Sequence, residues 1–163
     1  MRSRFAHSNA TTNITEDGGV VKTILKPGEG ESIPDGSTAV VHYVGTFEDG
    51  RKFDSSRDRN KPFKFQLGKR NVILGWDKAV ATMRKGELCV ITCQPLYAYG
   101  KHGIGPIPGD SVLVFEIELL DWHMGSKDGD SQGNFLYLLL VLIATTVILF
   151  MVFNNMYPKI SRS

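Results

Sequence analysis

Cysteine is scarce in this chain: Cys89 and Cys93 are the only two in 163 residues. That excludes a disulfide framework. Their C-x3-C spacing also departs from the C-x-x-C of redox and zinc sites. On a strand, positions four apart share a face, so the pair reads as two ordinary buried thiols. Histidine is sparse too. The four, at 7, 42, 102 and 123, are scattered and match no metal-ligand spacing. His42 adjoins a strand aromatic and reads as structural. No G-x-S-x-G and no P-loop occur, which removes two common signatures of hydrolysis and nucleotide binding. An excess of one charge is also missing. Nineteen basic and 17 acidic residues leave a formal net charge of +2, too little to favour nucleic acid. The N-terminus, MRSRFAHSNATTNIT, lacks the apolar stretch of a secretory signal. Residues 1–18 are expected to form a disordered polar tail.

Long hydrophobic runs are absent with one exception. Phe135 to Phe153, FLYLLLVLIATTVILFMVF, holds 19 residues without a charge. As a helix it is about 28 Å long, close to the roughly 30 Å hydrocarbon core of a bilayer. A helix apolar all round needs a large protein to bury it, and this chain has no such mass. Residues 135–153 are therefore expected to form a transmembrane helix, with 123–134 a flexible linker and 154–163 a short tail. With no signal upstream, insertion follows synthesis and the folded part faces the cytosol. The sequons at Asn9 and Asn13 then go unused. The strongly apolar span suits the endoplasmic reticulum. Lys159 and Arg162 behind it make the mitochondrial outer membrane the alternative.

Residues 19–122 alternate in the manner of strands. Gly19–Leu25, Thr38–Phe47, Phe63–Leu67, Glu87–Gln94 and Val112–Trp122 carry period-2 or β-branched patterns, and Arg51–Phe53 a shorter one. Glu48-Asp49-Gly50 turns the chain. One segment, Val72–Met83, spaces Ile73, Trp76, Ala79, Val80 and Met83 at three and four residues, as a short helix ended by Gly86. Residues 95–110 form a long Gly/Pro-rich loop, a length usually tied to function. This predicts an α+β fold, an antiparallel sheet covering one short helix.

Aromatic residues are the positive signal. Tyr43, Phe53, Phe63, Trp76, Tyr99 and Phe115, with Val72, Ile73 and Ile107, recur inside otherwise polar sequence. At that density they fill a core or line a pocket. The stretches VVHYVGTFEDGRKFDSSRDRNKPFKFQLGK, VILGWDKAVATMRKGE, PLYAYG and SVLVFEIELLD resemble the FK506-binding protein (FKBP) family of peptidyl-prolyl isomerases. The resemblance covers about residues 19–122, with several motifs in order. It implies an apolar pocket between sheet and helix. By motif it implies that Tyr43, Phe53, Asp54, Phe63, Trp76, Tyr99 and Phe115 form the catalytic set. Arg59, Val72, Ile73 and Ile107 would contact substrate or a macrolide such as FK506 or rapamycin. No metal or cofactor is implied. The 101–110 loop is about one residue shorter than the common pattern, Gly109 replaces a frequent proline, and Asn71 replaces a frequent acid.

The resemblance implies an isomerase that accelerates X-Pro rotation in proline-containing clients, and the apolar span at 135–153 would anchor it near the bilayer. The alternative is a membrane-tethered binding module whose pocket or overhanging loop docks a partner, with catalysis incidental. Arg51–Arg70 adds eight basic residues against two acids. That segment is either a solvated loop or a contact for anionic lipid headgroups.

Overall fold

The computed structural model describes residues 10–124. The expected span at 135–153, most of the linker and the first nine residues lie outside them. Among the described residues no helix is long and apolar enough to cross a membrane.

The strands are β1 (Thr11–Asn13), β2 (Val20–Lys26), β3 (Glu29–Ser32), β4 (Thr38–Phe47), β5 (Lys52–Ser55), β6 (Phe63–Gln66), β7 (Arg84–Lys85), β8 (Leu88–Cys93) and β9 (Leu113–His123). Among the described residues the one α-helix, α1, is Leu74–Val80. The main sheet runs β1-β2-β8-β9-β4-β5, with β6 also paired to β4. Every pairing in it is antiparallel. β3 and β7 form a separate two-stranded ribbon.

The period-2 pattern is what builds the core. Along β4, Ala39, Val41, Tyr43 and Gly45 turn inward while their neighbours stay partly exposed. β8 buries Cys89, Ile91 and Cys93, and β9 buries Leu113, Phe115, Ile117 and Leu119. Against this face α1 places Gly75, Trp76, Ala79 and Val80, the 3.6-residue stripe of one helix side. Gly75 permits close approach. A Cβ there would lie 2.4 Å from the Cys93 sulfur. Burial pushes both thiols up to about 12, so neither is a nucleophile near neutrality.

β4 organises the functional half of the sheet. One edge pairs with β9 from Thr38 to Phe47. The other edge is divided: β6 takes Thr38–Val41 and β5 takes Val44–Thr46. The division falls between Val41 and Val44, beside Tyr43.

Three expectations need correction. The supposed tail contains β1, which pairs Thr11–Asn13 with Val21–Thr23. Short polar residues satisfy an edge strand without burying anything, so composition hides it. The helix is shorter than Val72–Met83. Ile73 is its extended N-cap, and after Val80 the chain tightens into turns with Thr82 N–H to Ala79 and Met83 N–H to Val80. Met83 remains fully buried, so the apolar spacing persists where the helix does not. β9 runs one residue past the expected strand end, to His123.

One inward position is charged. Lys22 lies two residues after Val20 on β2 and is nearly fully buried with Glu87. Its Nζ donates to Glu87 Oε1 at 2.9 Å and to Thr82 Oγ1 at 2.8 Å. Glu87 Oε2 in turn accepts the Arg84 N–H at 3.1 Å. This pair joins the first long strand to the turn after α1. Removing one partner strands a buried charge. Glu87→Ala is expected to destabilise the domain by about 3–5 kcal/mol in urea unfolding. Lys22→Met with Glu87→Gln should recover most of that loss.

Candidate functional site

The divided edge of β4 assembles the site. β5 arrives on one side of the gap carrying Phe53 and Asp54, and β6 begins on the other with Phe63. Tyr43 lies between them. Its backbone, which neither strand pairs across that edge, is held by Ser56. The Tyr43 N–H donates to Ser56 Oγ at 2.8 Å, and the Ser56 N–H donates to the Tyr43 carbonyl at 3.1 Å. Ser56 is fully buried. Its hydroxyl also meets His42 Nδ1 at 2.9 Å, which gives that histidine a structural partner.

Trp76 is the hub of the aromatic cluster. Its ring centre lies 5.0 Å from Tyr43 and 5.3 Å from Phe115, both near perpendicular. Phe65 and Phe63 follow at 5.7 and 6.0 Å. Phe63 also meets Tyr43 edge-on at 5.9 Å, and Phe53 meets Phe115 at 5.7 Å. Such edge-to-face pairs add about 0.5–1.5 kcal/mol each beyond their buried area. Tyr43, Trp76 and Phe115 are buried, whereas Phe53 and Phe63 remain partly exposed. The arrangement is a buried aromatic floor with a partly open rim. The Trp76 indole N–H has no hydrogen-bond partner among the described residues. Gly45 makes the wall possible. A Cβ there would sit 2.7 Å from the Phe53 ring and 3.1 Å from that of Phe115.

A polar edge borders the floor. The Tyr43 hydroxyl donates to Asp54 Oδ2, and Arg59 Nη1 donates to Asp54 Oδ1. Arg59 Nη2 donates to the Tyr43 hydroxyl at 2.9 Å, and the Ser55 N–H donates to Asp54 Oδ1 at 2.8 Å. The loop 56–61 turns Arg59 back onto Asp54. Asn60 adopts φ 50°, and the Asn60 and Lys61 N–H groups close the loop on Arg57 and Ser56. Burial, then the Asp54 carboxylate, push the Tyr43 phenol well above the usual tyrosine range. Partial burial pulls Arg59 down, but Asp54 and Tyr43 outweigh it, and its guanidinium is held above the usual value. Tyr43 is therefore a protonated donor and Arg59 a permanent cation.

The remaining predicted residues surround this centre. Ile107 is buried, and Val72, Ile73 and Tyr99 are half-buried against the same core. Burial first, then the charge of Asp54, raise the Tyr99 phenol. Ile107 sits in a tight hairpin. Ile104 and Ile107 exchange both backbone hydrogen bonds at 2.9 Å around Gly105 and Pro106. Direct contacts thus connect Tyr43, Phe53, Asp54, Arg59, Phe63, Trp76 and Phe115, while Tyr99, Val72, Ile73 and Ile107 share their core.

Sequence reasoning missed Phe65, Gly45 and Ser56. Phe65 was detectable, because it lies two residues from Phe63 on one strand face. Ser56 carries no such signal, since its role depends on the gap in strand pairing. No group of three His, Cys, Asp or Glu side chains among the described residues suits a metal ion.

Residues 29–120 match the family model of the FKBP-type peptidyl-prolyl cis-trans isomerases. The chain is 53% identical over 124 residues to FK506-binding protein 59 of Drosophila melanogaster, which covers 75% of this chain but 28% of that protein. It is 52% identical over 104 residues to peptidyl-prolyl cis-trans isomerase Fkbp12 of the same organism, covering 63% of this chain and 96% of that protein. The crystal structure of the three FKBP domains of wheat FKBP73 superposes with a TM-score of 0.66 at 32% identity. That match spans 71% of this chain and 51% of the wheat one.

Gly45→Ala tests the packing of the wall. The added methyl cannot be accommodated without moving Phe53 or Phe115. A loss of about 1–3 kcal/mol is expected in thermal or urea unfolding.

Proposed function

The chain belongs to the FKBP-type peptidyl-prolyl cis-trans isomerase family, and we propose that it accelerates X-Pro rotation in protein clients while anchored at a cytosolic membrane face. The observation that supports the catalytic reading most is the meeting of Tyr43, Phe63, Trp76 and Phe115 in one cluster edged by Asp54 and Arg59.

An X-Pro amide resists rotation by about 20 kcal/mol because resonance stiffens its C–N bond. Unaided, it isomerises in tens to hundreds of seconds. Twisting breaks the resonance and reduces the charge separation of the amide. An aromatic surface that sheds water therefore favours the twisted transition state over the planar ground state. Trp76 and Phe115 offer a face for the proline ring. In this reading the Tyr99 hydroxyl holds a substrate carbonyl. The Asp54–Arg59 edge is held by its own hydrogen bonds, which keep its dipole fixed while the amide turns. Nothing in this scheme requires a nucleophile, so the high pKa of both thiols is no obstacle.

Two relatives bear on ligand and extent. One is named for binding FK506. We extend that property, and rapamycin binding, to this aromatic floor. The other is matched over 96% of its length by 104 residues, so a domain of this extent is almost a whole protein there. Residues 1–125 are accordingly a suitable fragment for assay.

Anchoring rests on the 19-residue apolar run at 135–153. The eleven residues between β9 and that run would, as a flexible chain, have a root-mean-square length of about 18 Å. The site would then work within a domain's width of the bilayer, on membrane-proximal clients. Lipid contact by the basic segment would fall to half of its charges. Arg51, Lys52, Arg57 and Arg59 are already paired with Asp49, Asp58, Glu118 and Asp54. Lys61, Lys64, Lys69 and Arg70 are left to face headgroups.

The catalytic reading is tested by X-Pro isomerisation of a test peptide with residues 1–125. Acceleration is expected, and Asp54→Ala or Tyr43→Phe should each reduce kcat/KM by about tenfold, roughly 1.4 kcal/mol of transition-state stabilisation. No acceleration by the parent fragment would refute it. Because both phenols are raised, the rate should show no phenol titration from about pH 7 to about pH 9. Anchoring is tested by imaging the tagged full chain. Endoplasmic reticulum labelling is expected, and loss of 135–153 should release the protein from membranes. A diffuse full-length signal would refute anchoring.

A further inference from the structure

We propose that Asp17 and Tyr97 form a clamp through which the N-terminal strand positions the loop carrying Tyr99. The proposal rests on the isomerase reading for its consequence, though not for its geometry.

β1 is followed by a turn that doubles back into β2. The Ile14 N–H donates to the Val20 carbonyl at 2.8 Å, and the Val20 N–H donates to Thr15 Oγ1 at 3.0 Å. Gly18 adopts φ 68°, which completes the reversal. This turn presents Asp17. Its Oδ1 accepts the Gly19 N–H at 3.0 Å, and its Oδ2 accepts the Tyr97 hydroxyl at 2.9 Å. The Tyr97 ring lies flush on Gly19. A Cβ there would fall 2.1 Å from the ring, so only glycine admits it.

Tyr97 ends the short 3-10 helix Pro95–Tyr97, two residues before Tyr99. Its carbonyl faces α1: a Cβ on Gly75, the neighbour of Trp76, would lie 3.1 Å from that oxygen. Beyond it, the Ala98 and Gly100 N–H groups both donate to the Pro95 carbonyl, at 3.0 and 2.8 Å. The Gly100 carbonyl then accepts the Asp110 N–H at 2.9 Å, which closes the segment holding the Ile104–Ile107 hairpin. Tyr99 therefore sits on a span fixed at both ends. One end is fixed by the sheet-side hairpin closure and the other by Tyr97.

The clamp joins two regions of different standing. Tyr97 falls within the family-matched residues 29–120, whereas Asp17 and β1 precede them. The N-terminal residues thus reach past the edge of the matched domain to touch the loop beside the site. Asp17 is held below the usual carboxylate range by its hydrogen bonds with Thr15, Gly19 and Tyr97. It is an anionic acceptor at neutral pH, the form that best retains a phenol donor. Both are positioning residues, since their polar atoms bond each other and the turn before β2.

The test uses Asp17→Asn, Tyr97→Phe and their double variant in residues 1–125. Tyr97→Phe removes the donor, while Asp17→Asn removes the charge and turns one of the two acceptor oxygens into a donor, both leaving the backbone and ring in place. A fall in kcat/KM of about threefold or more is expected for each single variant, with the double no lower than the worse single. Asp17→Glu should restore part of the rate. The Tyr99 ring resonances, followed by NMR, should shift in both singles. Melting temperatures are measured alongside, and a rate loss seen at temperatures far below melting separates positioning from unfolding. Rates within about twofold of the parent with unmoved Tyr99 resonances, or a double variant that multiplies the two single losses, would overturn the clamp. An inactive parent fragment would instead refute the isomerase reading, and the Tyr99 resonances would still decide the clamp.

Discussion

The site depends on a single discontinuity: the outer edge of β4 is shared by two short strands that stop on either side of Tyr43. A continuous partner strand would have paired that edge throughout and carried its own alternating side chains across it. Two strands with a gap do something else. They bring Phe53 and Asp54 from one side and Phe63 from the other, and leave the strand pairing interrupted at Tyr43. Unpaired backbone in such a gap costs about 1–3 kcal/mol per buried group. Ser56 removes that cost by bonding both the N–H and the carbonyl of Tyr43. The buried serine is therefore what allows the gap to exist in a stable sheet.

From this constraint the division of labour follows. The floor is supplied by helix α1, which packs on the sheet and is tied to the chain after β6 through Asp77 Oδ1, which accepts the Gly68 N–H at 3.2 Å beside Trp76. That is why small residues flank the contact. Gly75 lets the helix settle on Cys93, and Gly45 lets Phe53 and Phe115 meet edge to face. The polar edge is supplied by the loop after β5, where the left-handed Asn60 folds Arg59 back. Rigid floor and looped edge thus have separate supports, and a change in one need not disturb the other.

Much of this was legible in the residue pattern, for reasons that can be stated. β4 is legible along its full length because alternation runs through nearly all ten residues. The aromatic members of the site were legible because bulky rings in polar surroundings have few other uses. Edge strand β1 was not legible, since an edge strand that buries nothing leaves no hydrophobic period. The extent of α1 was misjudged because apolar spacing tracks burial, and Met83 is buried in a turn rather than a helix. Lys22 was silent for the opposite reason. A lysine in an inward phase looks like a break in the pattern until its partner Glu87, 65 residues away, is known.

The chemistry sets how rigid the assembly must be. A reaction with a nucleophile tolerates some looseness, because bond formation itself fixes the reacting atoms. Rotation about an amide forms no bond to the protein. The only means of favouring the twisted state is a surface that fits it better than the planar one, and a surface that yields fits both. Stabilisation of a few kcal/mol must then come from rings that do not move during the turn. The near-perpendicular contacts of Trp76 with Tyr43 and Phe115 meet that demand, because each ring edge is fixed against the face of its neighbour. Tyr43 is doubly determined, by Trp76 on its ring and by Asp54 and Arg59 on its hydroxyl. An interlock of this kind is what the proposed catalysis asks of a domain whose two described thiols are masked: under that reading the shape and polarity of a wall act on the substrate, and Ser56, Gly45 and Gly75 keep that wall in place.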